Sequence, residues 1–133
     1  MECNHFLPTP APAVTVHGAN HARAALAPGL PVTLLSAPGA ALYAGCLWWR
    51  ALLQAVNHTG PALLDCADAP GRAAEALRLG LSGVVLAPCP AWDEIAALAA
   101  AQGALLLTTR PPALDLAAPG ALHRLPAWLA SES

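Results

Sequence analysis

The sequence predicts an α/β fold: a single three-layer domain of about five mainly parallel strands, flavodoxin-like or half-barrel in outline. Three observations carry this. Short apolar runs alternate with amphipathic helical segments from Val14 to Leu107. Gly29, Gly60, Gly83 and Gly103 each precede an apolar run, and Ala37-Pro38-Gly39 and Ala69-Pro70-Gly71 each follow one. Glycine ends a helix, a strand follows, and proline opens the next helix, so the chain reads as a weak internal repeat. The third observation is Gly60–Cys89, which contains one complete strand–helix–strand unit.

Residues 1–13 carry Pro8, Pro10 and Pro12 and read as an extended or disordered leader; residues 14–133 read as the α/β domain. Cys3 and His5 lie in the leader, where two potential metal ligands on a floppy arm are expected to be inert. Val14-Thr15-Val16 is the first strand, followed by His17–His21 and a short helix over Ala22–Leu26 that Pro28-Gly29 closes. Val32–Leu35 is the second strand. Ser36–Gly39 then turns into a long helix, Ala40 to Asn57.

The central unit supplies the third and fourth strands. Ala62-Leu63-Leu64 is too short for a helix and lies between Gly60-Pro61 and the acidic turn Asp65–Asp68, as a strand buried on both faces would. Asp68 is placed to cap the next helix, and Pro70 suits its first turn. Ala73, Ala74, Ala76, Leu77 and Leu79 form the packing side, while Arg72, Glu75 and Arg78 mark the wet side. Gly80 and Gly83 are expected to stop the helix before Val84-Val85-Leu86. Two such strands around one helix should be parallel, with a right-handed crossover. A fourth helix starts at Pro90–Glu94 and runs to Gly103; Ala104–Leu107 is the fifth strand. Leu122–Ala130 forms a last short helix with Leu125 and Trp128 inward.

Composition removes several chemistries. The chain has 133 residues, 56% hydrophobic and 11% charged, enough for one real core and too few for two ordinary domains. With a net charge of −2 and no basic run, no nucleic-acid partner is expected. There is no lysine, so no Schiff base can form on one, no pyridoxal phosphate is expected, and a Walker-type loop lacks its lysine. The sequence names no cofactor. Cys3, Cys46, Cys66 and Cys89 show no CxxC spacing; reduced thiols in a cytoplasm, with no signal peptide, are the expectation.

The 40–57 stretch is apolar nearly all round, with Tyr43, Arg50 and Gln54 its polar exceptions. Its length is marginal for a membrane span and Arg50 lies well inside it, so no span is expected, while association with a membrane surface stays open. The better expectation is a homo-oligomer, with Leu47–Leu53 at the contact and Trp48 and Trp49 pointing in different directions.

In a parallel α/β sheet, sites form at the carboxyl ends of the strands. That rim collects His17, Asn20, His21, Ser36, Asp65, Cys66, Asp68, Cys89, Thr108, Thr109 and Arg110. His17 and Asp65 are the acid/base candidates. Cys89, like Cys66, is a thiol candidate beside His17. Asn20, His21, Ser36, Asp68 and Arg110 are the ligand-binding candidates, Arg110 for a carboxylate or phosphate. His17 and His21, four apart, would face the same way on a helical turn, and Asp65 or Cys89 would complete a metal site. Equally, His17 and Asn20 would serve as helix caps. No GxGxxG, GxSxG or HExxH signature occurs.

The piece LLDCADAPGRAAEALRLGLSGVVLAP, Leu63–Pro88, resembles a βαβ step of the (β/α)8-barrel enzymes, aldolases and phosphate-binding barrels among them. The resemblance covers about a fifth of the chain and carries no catalytic motif. A whole barrel needs about 200 residues or more, so it implies at most half of one, and the aldolase Schiff-base lysine is missing. The chain as a whole resembles small bacterial α/β proteins. Three function classes follow: binding of a small anionic metabolite at the strand ends, a hydrolase or lyase using His17 and Asp65 with or without metal, and an accessory or oligomerisation subunit docking through 40–57.

Overall fold

Six strands form one parallel sheet in the order β5-β4-β3-β2-β1-β6. The structure is a computed structural model and describes residues 11–131; most of the leader, with Cys3 and His5, lies outside the described residues. The elements are β1 (Ala13–Val16), α1 (Ala19–Leu26), β2 (Thr33–Ser36), α2 (Ala40–Tyr43), α3 (Cys46–Ala55), β3 (Ala62–Asp65), α4 (Pro70–Arg78), β4 (Gly83–Val85), α5 (Trp92–Gln102), β5 (Leu105–Leu107), β6 (Ala113–Asp115) and α6 (Ala121–Ala130). The layered α/β class and the parallel pairing are those predicted. The strand count is six rather than five.

Alternation along each strand sorts the core. Val14, Val16, Leu34, Ala62, Leu64, Val84 and Leu86 point to one face, where the buried residues of all six helices join them. Leu35, Leu63 and Val85 point the other way and pack with Leu107 and Ala113, with no helix residue among them. The inner face of the sheet therefore packs on itself. In β1 to β4 both faces are buried, which is why these strands read as continuous apolar runs.

Chain length requires the same curvature. Leu107 lies level with Val85 and Asp65, while Asp115 lies level with Thr15, Leu35 and Leu63. On a flat sheet, Leu107 to Ala113 would cross five inter-strand gaps and drop four residues, a distance of about 27 Å. The six steps between them reach at most about 22 Å. The sheet must roll through roughly half a turn. Of the two predicted outlines, the half-barrel is the one observed; a flavodoxin-like sheet reverses direction at a switch point, and β1 to β5 here run consecutively.

Several local expectations are corrected. The single helix over 40–57 is two helices, because Gly45 takes φ +93° and breaks the ladder between α2 and α3. Apolar residues continue across the break, so periodicity does not reveal it. β6 was not expected. It follows Pro111-Pro112, which cannot donate to a ladder, and it pairs with β1 as an edge strand, where proline is tolerated. Gly83 does not stop a helix; Gly80, at φ +84°, follows its end, and Gly83 is the first residue of β4. There a Cβ would lie 2.7 Å from Leu63 Cδ2 and 3.2 Å from the Ala62 carbonyl oxygen. Gly83→Ala is therefore expected to cost about 1–3 kcal/mol, read as a lower urea midpoint at unchanged m-value. No helix among the described residues is long and apolar enough to cross a membrane.

Candidate functional site

The rolled sheet brings its strand ends to one mouth, and Arg110 sits in it. The segment 108–112 runs from the end of β5 to the start of β6, and Arg110 reaches from its middle to three different strands. Nη1 donates to Asp65 Oδ2 at 2.8 Å and to the Ser36 carbonyl oxygen at 2.9 Å; Nη2 donates to Thr15 Oγ1 at 3.3 Å. All three acceptor residues are buried. Asp65 Oδ1 accepts the Ala67 N–H at 2.8 Å, holding Ala67 at φ +52°. Both Asp65 oxygens are thus engaged. The Ser36 hydroxyl accepts the Asp65 N–H at 2.9 Å and donates to the Ala37 carbonyl oxygen at 3.1 Å. Ser36, Asp65 and Arg110 do come together, as one internal network whose guanidinium is already paired.

His17 is elsewhere on the rim. Its Nε2 lies 2.8 Å from Asp115 Oδ1, which also accepts the Ala117 N–H at 2.9 Å. Its partner is therefore Asp115 of β6, and no hydrogen bond joins it to Asp65. Partial burial pushes the Asp115 carboxyl upward, but the Ala117 N–H and His17 outweigh that and hold it below the usual carboxylate range. The His17 N–H donates to His21 Nδ1 at 3.1 Å, and the two rings meet edge to face at 5.5 Å. An accepting Nδ1 leaves the neutral His21 proton on Nε2.

His17 and Asn20 do not cap α1. Gly18 stands at the N-cap with no side-chain bond, and Asn20 Oδ1 instead accepts from Arg23 Nη1 at 3.3 Å. The Ala22 N–H reaches Gly18 O, so the N–H groups of Ala19, Asn20 and His21 precede the first intrahelical bond. His17, Gly18, Ala19, Asn20 and His21 line an open depression of about 330 Å³ at this corner.

The other candidates separate. Asp68 is exposed, and Ala69 takes the N-cap of α4 with no side-chain bond, so the expected Asp68 cap is absent. Burial first, then the nearby Cys46 and Asp65, push the Cys66 thiol up to about 12; burial and Glu75 push Cys46 up to about 11. Neither is a thiolate near neutral pH. Cys89 is half-buried against the helix-side core rather than beside His17. Among the described residues no group of three or more His, Cys, Asp or Glu side chains is placed to hold a metal ion.

Two participants escaped the sequence reading, Asp115 and Thr15. The alternation in Ala113-Leu114-Asp115-Leu116 was the available signal for Asp115, and Thr15 is the inward polar residue of an otherwise apolar strand. Comparison of the chain with known protein-family models, curated proteins and solved structures finds no match.

Proposed function

We propose that the chain binds a small anionic metabolite at the carboxyl-end rim of its sheet, at the start of α1. The observation that carries this is the His17 N–H to His21 Nδ1 bond at 3.1 Å. It fixes His21 with Nε2–H as a donor, beside the open N–H groups of Ala19 and Asn20. Asn20 gives its oxygen to Arg23 and keeps its NH2 to donate. A carboxylate or phosphate is the ligand chemistry that such a set of donors accepts.

The test is an NMR titration of the full chain with inorganic phosphate. Saturable shifts of the Ala19–His21 amides and the His21 ring are expected, strongly reduced in Asn20→Ala. A rim that does not respond while distant amides drift with ionic strength would end this reading.

Acid/base catalysis is the second reading, and the 2.8 Å His17–Asp115 pair favours it. Asp115 orients the imidazole with Nε2–H toward its own carboxylate, leaving Nδ1 as the proton acceptor. In this reading Asp115, rather than Asp65, is the residue behind His17. A third reading, an accessory or homodimeric subunit, is supported by Leu42, Tyr43 and Leu47, all well exposed around the α2–α3 break. Light scattering after size exclusion decides it: a dimer that Leu47→Ser dissociates is expected, and a clean monomer rejects it. A cytoplasmic location belongs to the same proposal, supported by the free thiols of Cys46, Cys66 and Cys89, and a bacterial origin rests on the resemblance of the whole chain to small bacterial α/β proteins alone.

A further inference from the structure

The mouth of the rolled sheet presents oxygen acceptors. Asp65 Oδ2, the Ser36 carbonyl and Thr15 Oγ1 come from β3, β2 and β1 and converge on one group, the Arg110 guanidinium. Their residues are 5%, 0% and 3% exposed, so the cradle is part of the core. Each acceptor is positioned by the fold. Asp65 is fixed through its N–H and Oδ1, Ser36 sits in the β2 ladder, and Thr15 in that of β1.

The group that fills the cradle is held differently. Segment 108–112 lies between β5 and β6, and among the described residues none of its five members makes a backbone hydrogen bond outside the strands. Pro111 and Pro112 have no N–H to give. Thr108 and Thr109 are exposed. Among the described residues, the middle of the segment is therefore tied down by hydrogen bonds only through the Arg110 side chain. A rigid, buried acceptor set is occupied by a group on a loosely bonded strap.

We propose that the mouth is a guanidinium-binding site that the chain fills itself. Arg110 occupies in cis a cradle suited to a small alkylguanidinium cation, and the 108–112 strap lifts when a free one enters. The ligand chemistry follows from the acceptors. A planar fork matches one carboxylate oxygen, one carbonyl and one hydroxyl spread over three strands, whereas a compact ammonium cannot reach all three in one plane. The tether gives Arg110 an effective concentration in the millimolar range or above, so an external cation competes poorly with it. This site is separate from the α1 corner and stands or falls without it.

The test uses the full chain and three probes: ethylguanidinium, ethylammonium and the neutral ethylurea. In Arg110→Ala, ethylguanidinium is expected to bind saturably. It should shift the Thr15 and Asp65 amides and raise Tm by about 5 °C at ten times its dissociation constant. Ethylammonium and ethylurea should do neither, and the double variant Arg110→Ala, Asp65→Asn should lose the response.

In the unmodified chain the same shifts are expected at a dissociation constant at least about tenfold higher, with faster hydrogen exchange at Thr108 and Thr109 as the strap lifts. Should Arg110→Ala fail to fold, refolding it with each probe gives the same comparison, recovery by ethylguanidinium alone being the supporting result. The proposal is overturned by equal effects of the three probes, by no recovery with any, or by a variant that binds while the unmodified chain shows no saturable shift.

Discussion

Trp49→Ala is expected to lower the unfolding free energy by about 3–5 kcal/mol, and Trp49→Phe by less than about 1.5 kcal/mol. Trp49 is the largest fully buried side chain among the described residues. It lies on α3 against the helix-side core, so truncation to Ala empties a volume that the rolled sheet behind it cannot collapse to fill. The contrast with Phe comes from the indole nitrogen. Trp49 Nε1 is the one buried side-chain polar atom without a partner among the described residues. Its desolvation already costs about 1–3 kcal/mol in the native protein. Phe keeps most of the ring contacts and removes that cost. Urea unfolding monitored by circular dichroism measures both. Equal losses for Phe and Ala would mean that the N–H is bonded in solution, to a trapped water for instance.

How far the sequence specified this molecule depends on which residues are asked. β3, α4 and β4 lie within a residue or two of where Gly60–Cys89 placed them, because Pro70, Gly80 and the two apolar runs act locally. Adjacent tryptophans did split as helix geometry requires: Trp49 is buried and Trp48 half-buried. Rolling the sheet is a non-local event. It follows from the register of six strands and the length of one connection, and neither can be read from a window of residues.

The site shows the same division. Strand ends share a rim whenever strands are parallel, so His17, Ser36, Asp65 and Arg110 were legible as a set. Their pairings were not. Asp65 took Arg110 because the strap crosses the mouth, and His17 took Asp115 because β6 pairs with β1. Both facts depend on a strand that two prolines concealed.

The Asp65–Arg110 pair gives the other large effect. Arg110→Met is expected to cost about 3–5 kcal/mol, more than the pair itself contributes. The substitution keeps an apolar stem of similar length but leaves the Asp65 carboxylate, 5% exposed, without its counter-charge. The Ser36 carbonyl and Thr15 hydroxyl lose their donor with it. Removing the charge as well should recover much of the loss, because burying an ion accounts for most of the cost. Asp65→Asn is the suitable second change. Its side-chain oxygen can still accept the Ala67 N–H, which Asp65→Leu would orphan at a residue held in the left-handed region. In the cycle of unmodified chain, Arg110→Met, Asp65→Asn and the double variant, the double variant is expected to be more stable than Arg110→Met alone. A double variant as unstable as the sum of the two single losses would mean that the pair carries no coupling, and that Arg110 holds the strap through Ser36 and Thr15 instead.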